Sequence, residues 1–317
     1  MKSLFRNPVD RARTAIVFLT TGVSVALYAL VDNPWILLGY WVLMLVPRGG
    51  MSAWNHHHQH CFTFRSTALN RAVELCYGLH TGMTTHVWLL HHVLGHHINY
   101  LDQTKDESRW MRADGTKMGL LEYVLVVSGT AYGRAYAVGH KHPKHQRVLV
   151  QYSLLMFGLV AALIAYRPIP GLIVFALPMV STLLWTSWAT YDHHAGLTTD
   201  DPYAASYNLE SPLYNFVSAN LGLHTAHHLR PGVHWSKLPE LHATIRHKIP
   251  DRLCGPWQLT RPAQAAIKPA SAAARSGGED PSAADVDARL ADAGLAEAAA
   301  SPVDPAATAV PRSADVA

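Results

Sequence analysis

The chain has 317 residues, of which 49% are hydrophobic and only 15% are charged, against about 25% charged in a typical soluble domain. This composition excludes a disordered chain and a strongly basic nucleic-acid binder, and a net charge of +4 gives no reason to expect a polyanionic partner. Histidine is unusually frequent, with 21 residues against 22 acidic ones, whereas three cysteines are too few for a disulfide framework. The sequence therefore predicts a histidine-rich membrane protein.

Two pairs of uncharged runs predict an all-α integral membrane protein with two transmembrane helical hairpins and hence four spans. The first pair covers residues 14–31 and 34–46, and the second covers residues 148–166 and 169–191. An apolar helix of this length approaches the thickness of a bilayer core. The run over residues 34–46 is short, and it extends farther only if Arg48 snorkels to the membrane surface.

The regions between these runs predict interfacial helices. Residues 119–138 are apolar but contain Glu122 and Arg134, which favours a helix lying in the interface over a fifth span. Residues 66–90 predict a similar helix, with Ser66 as its N-cap. Basic residues concentrate at the open ends of both hairpins, so the positive-inside rule places both termini and these ends in the cytoplasm. We expect a multi-pass protein of a bacterial cell membrane.

The composition divides the chain into two regions. Residues 1–260 form the predicted membrane domain. Residues 261–317 are rich in Ala, Pro, Ser, Gly and Asp and bury too little apolar surface to offset the entropy of ordering. The sequence predicts that this tail is disordered.

Three histidine clusters have the spacing of metal ligands on helices. His56 and His60 are four residues apart and share a helix face. Each of the other two clusters contributes three more histidines, namely His92, His96 and His97, and His224, His227 and His228. Neutral imidazole suits zinc, iron, copper and nickel. Because these eight histidines exceed what one metal uses, the sequence predicts two metal ions near the cytoplasmic surface.

In order and form, these clusters resemble the three histidine boxes of the membrane fatty acid desaturase and hydroxylase superfamily. HHHQHCFTF resembles the first box, HHVLGHH the second and HTAHHLRP the third, and the resemblance covers residues 13–250. It implies a non-haem di-iron centre that uses dioxygen to attack an unactivated alkyl C–H bond. The eight boxed histidines would be the iron ligands, with no catalytic residue separate from them.

Neighbouring residues leave several alternatives open. His57, His58 and His91 could replace boxed histidines by a register shift of one. In YDHHAG, His193 or His194 could be a ninth ligand, and Asp192 could orient one of them. In the superfamily an NxxxH element holds a metal-bound water, a role that Asn220 would take here.

The resemblance implies an oxidoreductase that desaturates a fatty acyl chain held in the membrane. A hydroxylase or ketolase acting on an alkane, fatty acid or carotenoid is the alternative, since the same centre serves both reactions. A metal transporter is disfavoured because the predicted spans carry no ionisable residue. No haem, iron–sulfur or dinucleotide motif occurs, so a separate ferredoxin or cytochrome b5-like donor is implied. The basic run from His140 to His145 is predicted to be solvated, or to dock an acidic carrier.

Overall fold

Helices make up nearly all the regular structure of the computed structural model, which describes residues 3–256; the predicted tail lies outside the described residues. The α-helices are α1 (Arg11–Leu30), α2 (Pro34–Leu43), α3 (Leu45–His60), α4 (Thr67–Thr81), α5 (Leu120–Gly139), α6 (Pro143–Tyr166), α7 (Pro168–Gly171), α8 (Leu177–His194), α9 (Pro212–Ser218), α10 (His224–Leu229) and α11 (Leu238–Ile245). Two segments are π-helices, Trp88–His96 and Leu172–Ala176. Short 3₁₀ turns cover Pro8–Asp10, Trp235–Lys237, Arg246–Lys248 and Asp251–Leu253, and the parallel strands β1 (Asn208–Leu209) and β2 (Cys254–Gly255) pair Asn208 with Cys254.

Among the described residues, three helical segments are long and apolar enough to cross a membrane: Pro8–Leu30, Pro143–Tyr166 and Pro168–His194. A fourth exists if α2 and α3, which are bent by 54° at a short break, count as one span. The helices of both predicted hairpins are thus present, although the second run is a bent pair rather than one straight helix. Many of their apolar side chains point outward, with Leu19 69% and Leu154 70% exposed. This is the surface that a helix presents to lipid.

The two hairpin turns meet at one end of the molecule. Asn33 begins α2 by accepting a hydrogen bond from the Trp35 backbone N–H (2.9 Å), and Pro34 follows at a position where no helical N–H bond is needed. In the other turn, the Arg167 guanidinium donates to the Asp32 carboxylate and to the Tyr28 carbonyl. The histidine-bearing ends of α3 and α8 therefore lie away from these turns.

The single helix predicted over residues 66–90 is wrong. α4 ends at Thr81, and Gly82 follows it with a left-handed φ of +70°. A Cβ on Gly82 would lie 2.4 Å from the Met179 carbonyl oxygen of α8. The chain then re-enters a helix only at Trp88. Ser66 does occupy the N-cap position, but its side chain makes no capping hydrogen bond. α4 packs between α1, α3 and α8.

Two further features concern charged residues. α5 matches the helix predicted over residues 119–138 and is not among the candidate spans of the described region; its interfacial position stays a prediction. The predicted snorkelling of Arg48 is wrong, because this side chain is 1% exposed and lies over the Tyr40 ring at 5.1 Å. Arg48 lies on α3 shortly after the bend from α2, and its side chain packs inside the protein.

Candidate metal centre

The C-terminal turn of α3 carries the first pair of clustered histidines. His56 and His60 are separated by one helical turn, so both rings lie on one face, with their centroids 5.0 Å apart. Each ring contacts the rings of His92 and His227. The first box therefore meets residues from the other two boxes.

A π-helix presents the second box. Five residues along an α-helix rotate a side chain by about 140° away from its starting face. In the π-helix Trp88–His96 each backbone bond spans five residues, and the His97 N–H donates to the His92 carbonyl at 2.8 Å. His92 and His97 are therefore aligned, with their Nε2 atoms 2.9 Å apart. His96, which the α-helical spacing paired with His92, belongs to a different group.

Five histidines form what we call the first cluster: His56, His60, His92, His97 and His227. One ring nitrogen of each lies within 4.8 Å of those of the others. Four Nε2 atoms form a closed ring of contacts, with successive distances of 2.9, 2.9, 3.1 and 2.9 Å from His56 through His92, His97 and His227 back to His56. Two donors at right angles on one ion, each at the usual metal–imidazole distance of about 2.0–2.1 Å, lie about 2.9 Å apart, and these separations match that value. The donor set thus fits a metal ion.

The protonation state of these rings also favours metal binding. Burial lowers the pKa of His92, His97 and His227 well below the usual value, and the neighbouring histidines lower it further. The imidazoles are therefore neutral at physiological pH. Neutral imidazole is the form that binds metals.

Three histidines form the second cluster: His96, His194 and His228. The Nε2 atoms of His194 and His228 are 3.1 Å apart, and His224 Nε2 lies 2.9 Å and 3.2 Å from them. Adjacent residues on a helix point about 100° apart, which divides the pairs His96–His97 and His227–His228 between the clusters. The rings of His97 and His228 stack at 4.3 Å, so the two clusters adjoin.

A buried carboxylate that the sequence reasoning missed orients the second cluster. His96 Nδ1–H donates to Asp106 Oδ1 at 2.8 Å, and Asp106 is 1% exposed. The Ser108 backbone N–H donates to the same oxygen at 2.7 Å and holds it in place. This contact keeps the proton on Nδ1 and leaves His96 Nε2 free to bind a metal. The sequence pointed to Asp192 for such a role, and nothing in the loop 98–118 marks Asp106 as special.

Of the two candidate ninth ligands, the structure brings His194 and not His193 into a cluster. Both ring nitrogens of His193 contact other groups, the Tyr207 carbonyl (3.0 Å) and the Tyr214 hydroxyl (3.2 Å). The Asn220 side-chain amide donates to the Trp235 carbonyl at 3.1 Å, and its role in holding a metal-bound water stays a prediction.

The register alternatives also lie outside both clusters. His58 contacts Glu74 (3.3 Å), and His57 stacks on His56 without entering the group of converging nitrogens. His91 points away from its neighbour His92, into a buried site where desolvation lowers its pKa to about 3. Seven of the eight boxed histidines lie in the two clusters and His224 contacts the second, while their role as metal ligands stays a prediction.

An apolar cavity of about 280 Å³ reaches both clusters. Its walls come from α3, α8 and α9 and include Val46, Trp185, Leu213 and Val217. His56 and His92 of the first cluster and His96 of the second line its inner end. Gly49 keeps it open on one side, since a Cβ there would lie 2.8 Å from the Trp185 indole nitrogen. The arrangement can hold an alkyl chain against a pair of metal ions.

Comparison with known proteins adds one family match. A family model described as "Fatty acid desaturase" matches residues 32–260, which include all three histidine boxes and the residues that line the cavity. No curated protein matches the chain.

Proposed function

The chain belongs to the fatty acid desaturase family, whose chemistry is of the desaturase or hydroxylase type, and from this premise we propose that it is a dioxygen-dependent di-iron desaturase of fatty acyl chains. The observation that carries the proposal is the convergence of two adjoining histidine clusters on the inner end of one apolar cavity. The cavity matches a substrate with no polar group near the reacting carbons.

The reaction explains why such a centre is needed. No side chain can ionise an unactivated methylene C–H bond, so acid–base catalysis alone cannot start the reaction. Two bound iron ions would supply oxidation by dioxygen. The balance for one double bond is –CH2–CH2– + O2 + 2e⁻ + 2H⁺ → –CH=CH– + 2H2O.

The protein's own residues bind and orient. The first cluster would hold one iron and the second cluster, with His224, the other. Asp106 fixes His96 in the tautomer that a ligand requires. Trp185 and its neighbours on α8 keep water from the chain and set which carbons come to rest beside the clusters.

The membrane placement is part of the proposal. We propose that four spans cross a cell membrane and that the clusters face the cytoplasm, as the basic open ends of the hairpins favour. An acyl chain could then enter from the lipid while its headgroup or carrier stays at the surface.

The test is product analysis with iron-loaded and chelated protein. We expect loss of two hydrogens from the substrate, turnover that ends on iron chelation and returns with iron, and no turnover in His227→Ala. His247→Ala, an exposed histidine outside both clusters, is the matched control and should keep full activity. A product that has gained one oxygen would instead identify a hydroxylase, and full activity without metal would overturn the proposal.

A further inference from the structure

A basic surface lies where α5 ends and α6 begins. Lys141, Lys144 and Arg147 are exposed, and none of them has an ion-pair partner among residues 3–256. No acidic residue occurs in the sequence between Glu122 and Asp192. Unpaired like charges repel one another, and they attract an anionic partner over several ångströms. We call these three residues the basic surface.

A continuous series of contacts leads from this surface into the protein. The ring of His145, beside Lys144, packs against the His86 ring at 5.0 Å. Arg71 Nη2 donates to His86 Nε2 at 3.1 Å, and Arg71 Nη1 donates to Glu74 Oε2 at 2.5 Å. Glu74 Oε1 then accepts from His58 Nε2 at 3.3 Å. His58 lies on α3 between the two histidines that this helix gives to the first cluster.

The backbone of His86 is unusual for a residue in this series. Its φ is +69°, a left-handed conformation that is unfavourable for a non-glycine residue. This conformation lets one imidazole contact both Arg71 and the His145 region. Strained residues of this kind persist where the surrounding contacts hold them in place.

The proposed reaction needs a supply of electrons from outside the cavity. Each double bond consumes two electrons and two protons in addition to dioxygen. The cavity beside the clusters is apolar. A separate donor docked on the protein, which the family resemblance implies, would supply these electrons.

We propose that the basic surface docks an acidic one-electron carrier protein and that the contact series through His86, Arg71 and Glu74 connects this carrier to α3. The proposal rests on the proposed function, because only a reaction that consumes electrons needs the carrier. Anionic lipid headgroups would also meet exposed cations at the start of a span. Binding of a headgroup does not require contacts that run inward to the ligand-bearing helix, whereas electron transfer from a carrier does. The observations therefore favour a protein.

The first experiment measures binding and does not depend on turnover. The probe is a purified acidic [2Fe–2S] ferredoxin, titrated against the full chain in nanodiscs of uncharged lipid. The combined variant K141E/K144E/R147E should bind it about tenfold or more weakly and with a smaller salt dependence. The control K237E/K248E/R252E makes the same charge change elsewhere and should bind like the wild type.

Two results of this titration would overturn docking. One is equal ferredoxin binding by the wild type and K141E/K144E/R147E. The other is a loss of binding to anionic vesicles with ferredoxin binding unchanged, which would assign the surface to lipid. If ferredoxin binds as expected but the iron-loaded wild type yields no product, the proposed function fails and the docking surface stands.

The second experiment examines the contact series by stopped-flow reduction of the bound iron. His86→Phe keeps a ring of similar shape and removes the hydrogen bond from Arg71. We expect unchanged ferredoxin affinity, loss of the fast phase of reduction by reduced ferredoxin, and unchanged reduction by dithionite. A wild-type fast phase in His86→Phe would overturn the route, whereas a loss with dithionite as well would show damage to the metal site.

Discussion

Replacing Asp106 by Asn keeps the shape of a buried side chain and removes its charge. In the wild type, Oδ1 accepts from His96 Nδ1–H at 2.8 Å and from the Ser108 N–H at 2.7 Å, while Oδ2 accepts from Gln103 Nε2 at 3.4 Å. An amide has only one accepting oxygen. If that oxygen faces His96, the NH2 group faces the Gln103 donor; if the amide turns, the NH2 group faces His96 and the Ser108 backbone N–H, which can only donate. Either orientation leaves two donors opposed in a buried site.

We expect Asp106→Asn to weaken metal binding in the second cluster. Bonds to a carboxylate are roughly twice as strong as bonds between neutral groups, and loss of a partner that orients a ligand commonly lowers metal affinity ~10–100-fold. This corresponds to about 1.4–2.8 kcal/mol of binding free energy. When the amide turns toward His96, the proton moves to Nε2 and the atom that should bind metal is lost.

The assay is iron content against increasing chelator concentration, read beside the unfolding midpoint of the metal-free protein. Asp102→Asn is the matched control, because Asp102 lies on the same loop, is partly exposed and contacts Lys105 and Thr104. The control should hold iron like the wild type. Wild-type iron affinity and turnover in Asp106→Asn would contradict this prediction, since His96 would then need no orienting carboxylate.

Three further predictions follow from particular contacts. His194→Ala should lose iron from the second cluster, whereas His193→Ala should keep the wild-type iron content, as elemental analysis of the purified proteins will show. Burial alone would raise the pKa of Glu74. Hydrogen bonding and charge from His58, together with Arg71, outweigh burial and lower this pKa from 4.5 to about 2. The contribution of ionised Glu74 to the stability of the fold is therefore complete above about pH 4.5 and is lost as the pH falls toward 2. The thermal unfolding midpoints of the wild type and Glu74→Gln should accordingly converge in acid. Gly82→Ala should lower the unfolding free energy by at least ~1–2 kcal/mol, because of its left-handed φ and a Cβ 2.4 Å from a carbonyl oxygen; an unchanged midpoint would contradict this.

The pattern of the sequence was sufficient for the features that depend on local chemistry. Uncharged runs bounded by Asn33-Pro34 and by Arg167-Pro168 predicted the helices of two hairpins, because apolar length and turn residues act within a few neighbours. The spacing of the boxes predicted which histidines gather, since i and i+4 share a face of any α-helix. His56 and His60 required nothing more.

The division of the histidines between the two clusters depends on tertiary contacts. The π-helix pairs His92 with His97, and no propensity in HHVLGHH distinguishes it from an α-helix, because the two differ by one residue in the hydrogen-bond register. Likewise, Arg48 is buried against Tyr40, and Asp106 in the loop after the π-helix contacts His96. These outcomes depend on contacts between segments far apart in the chain, and local sequence carries no record of the distance between them.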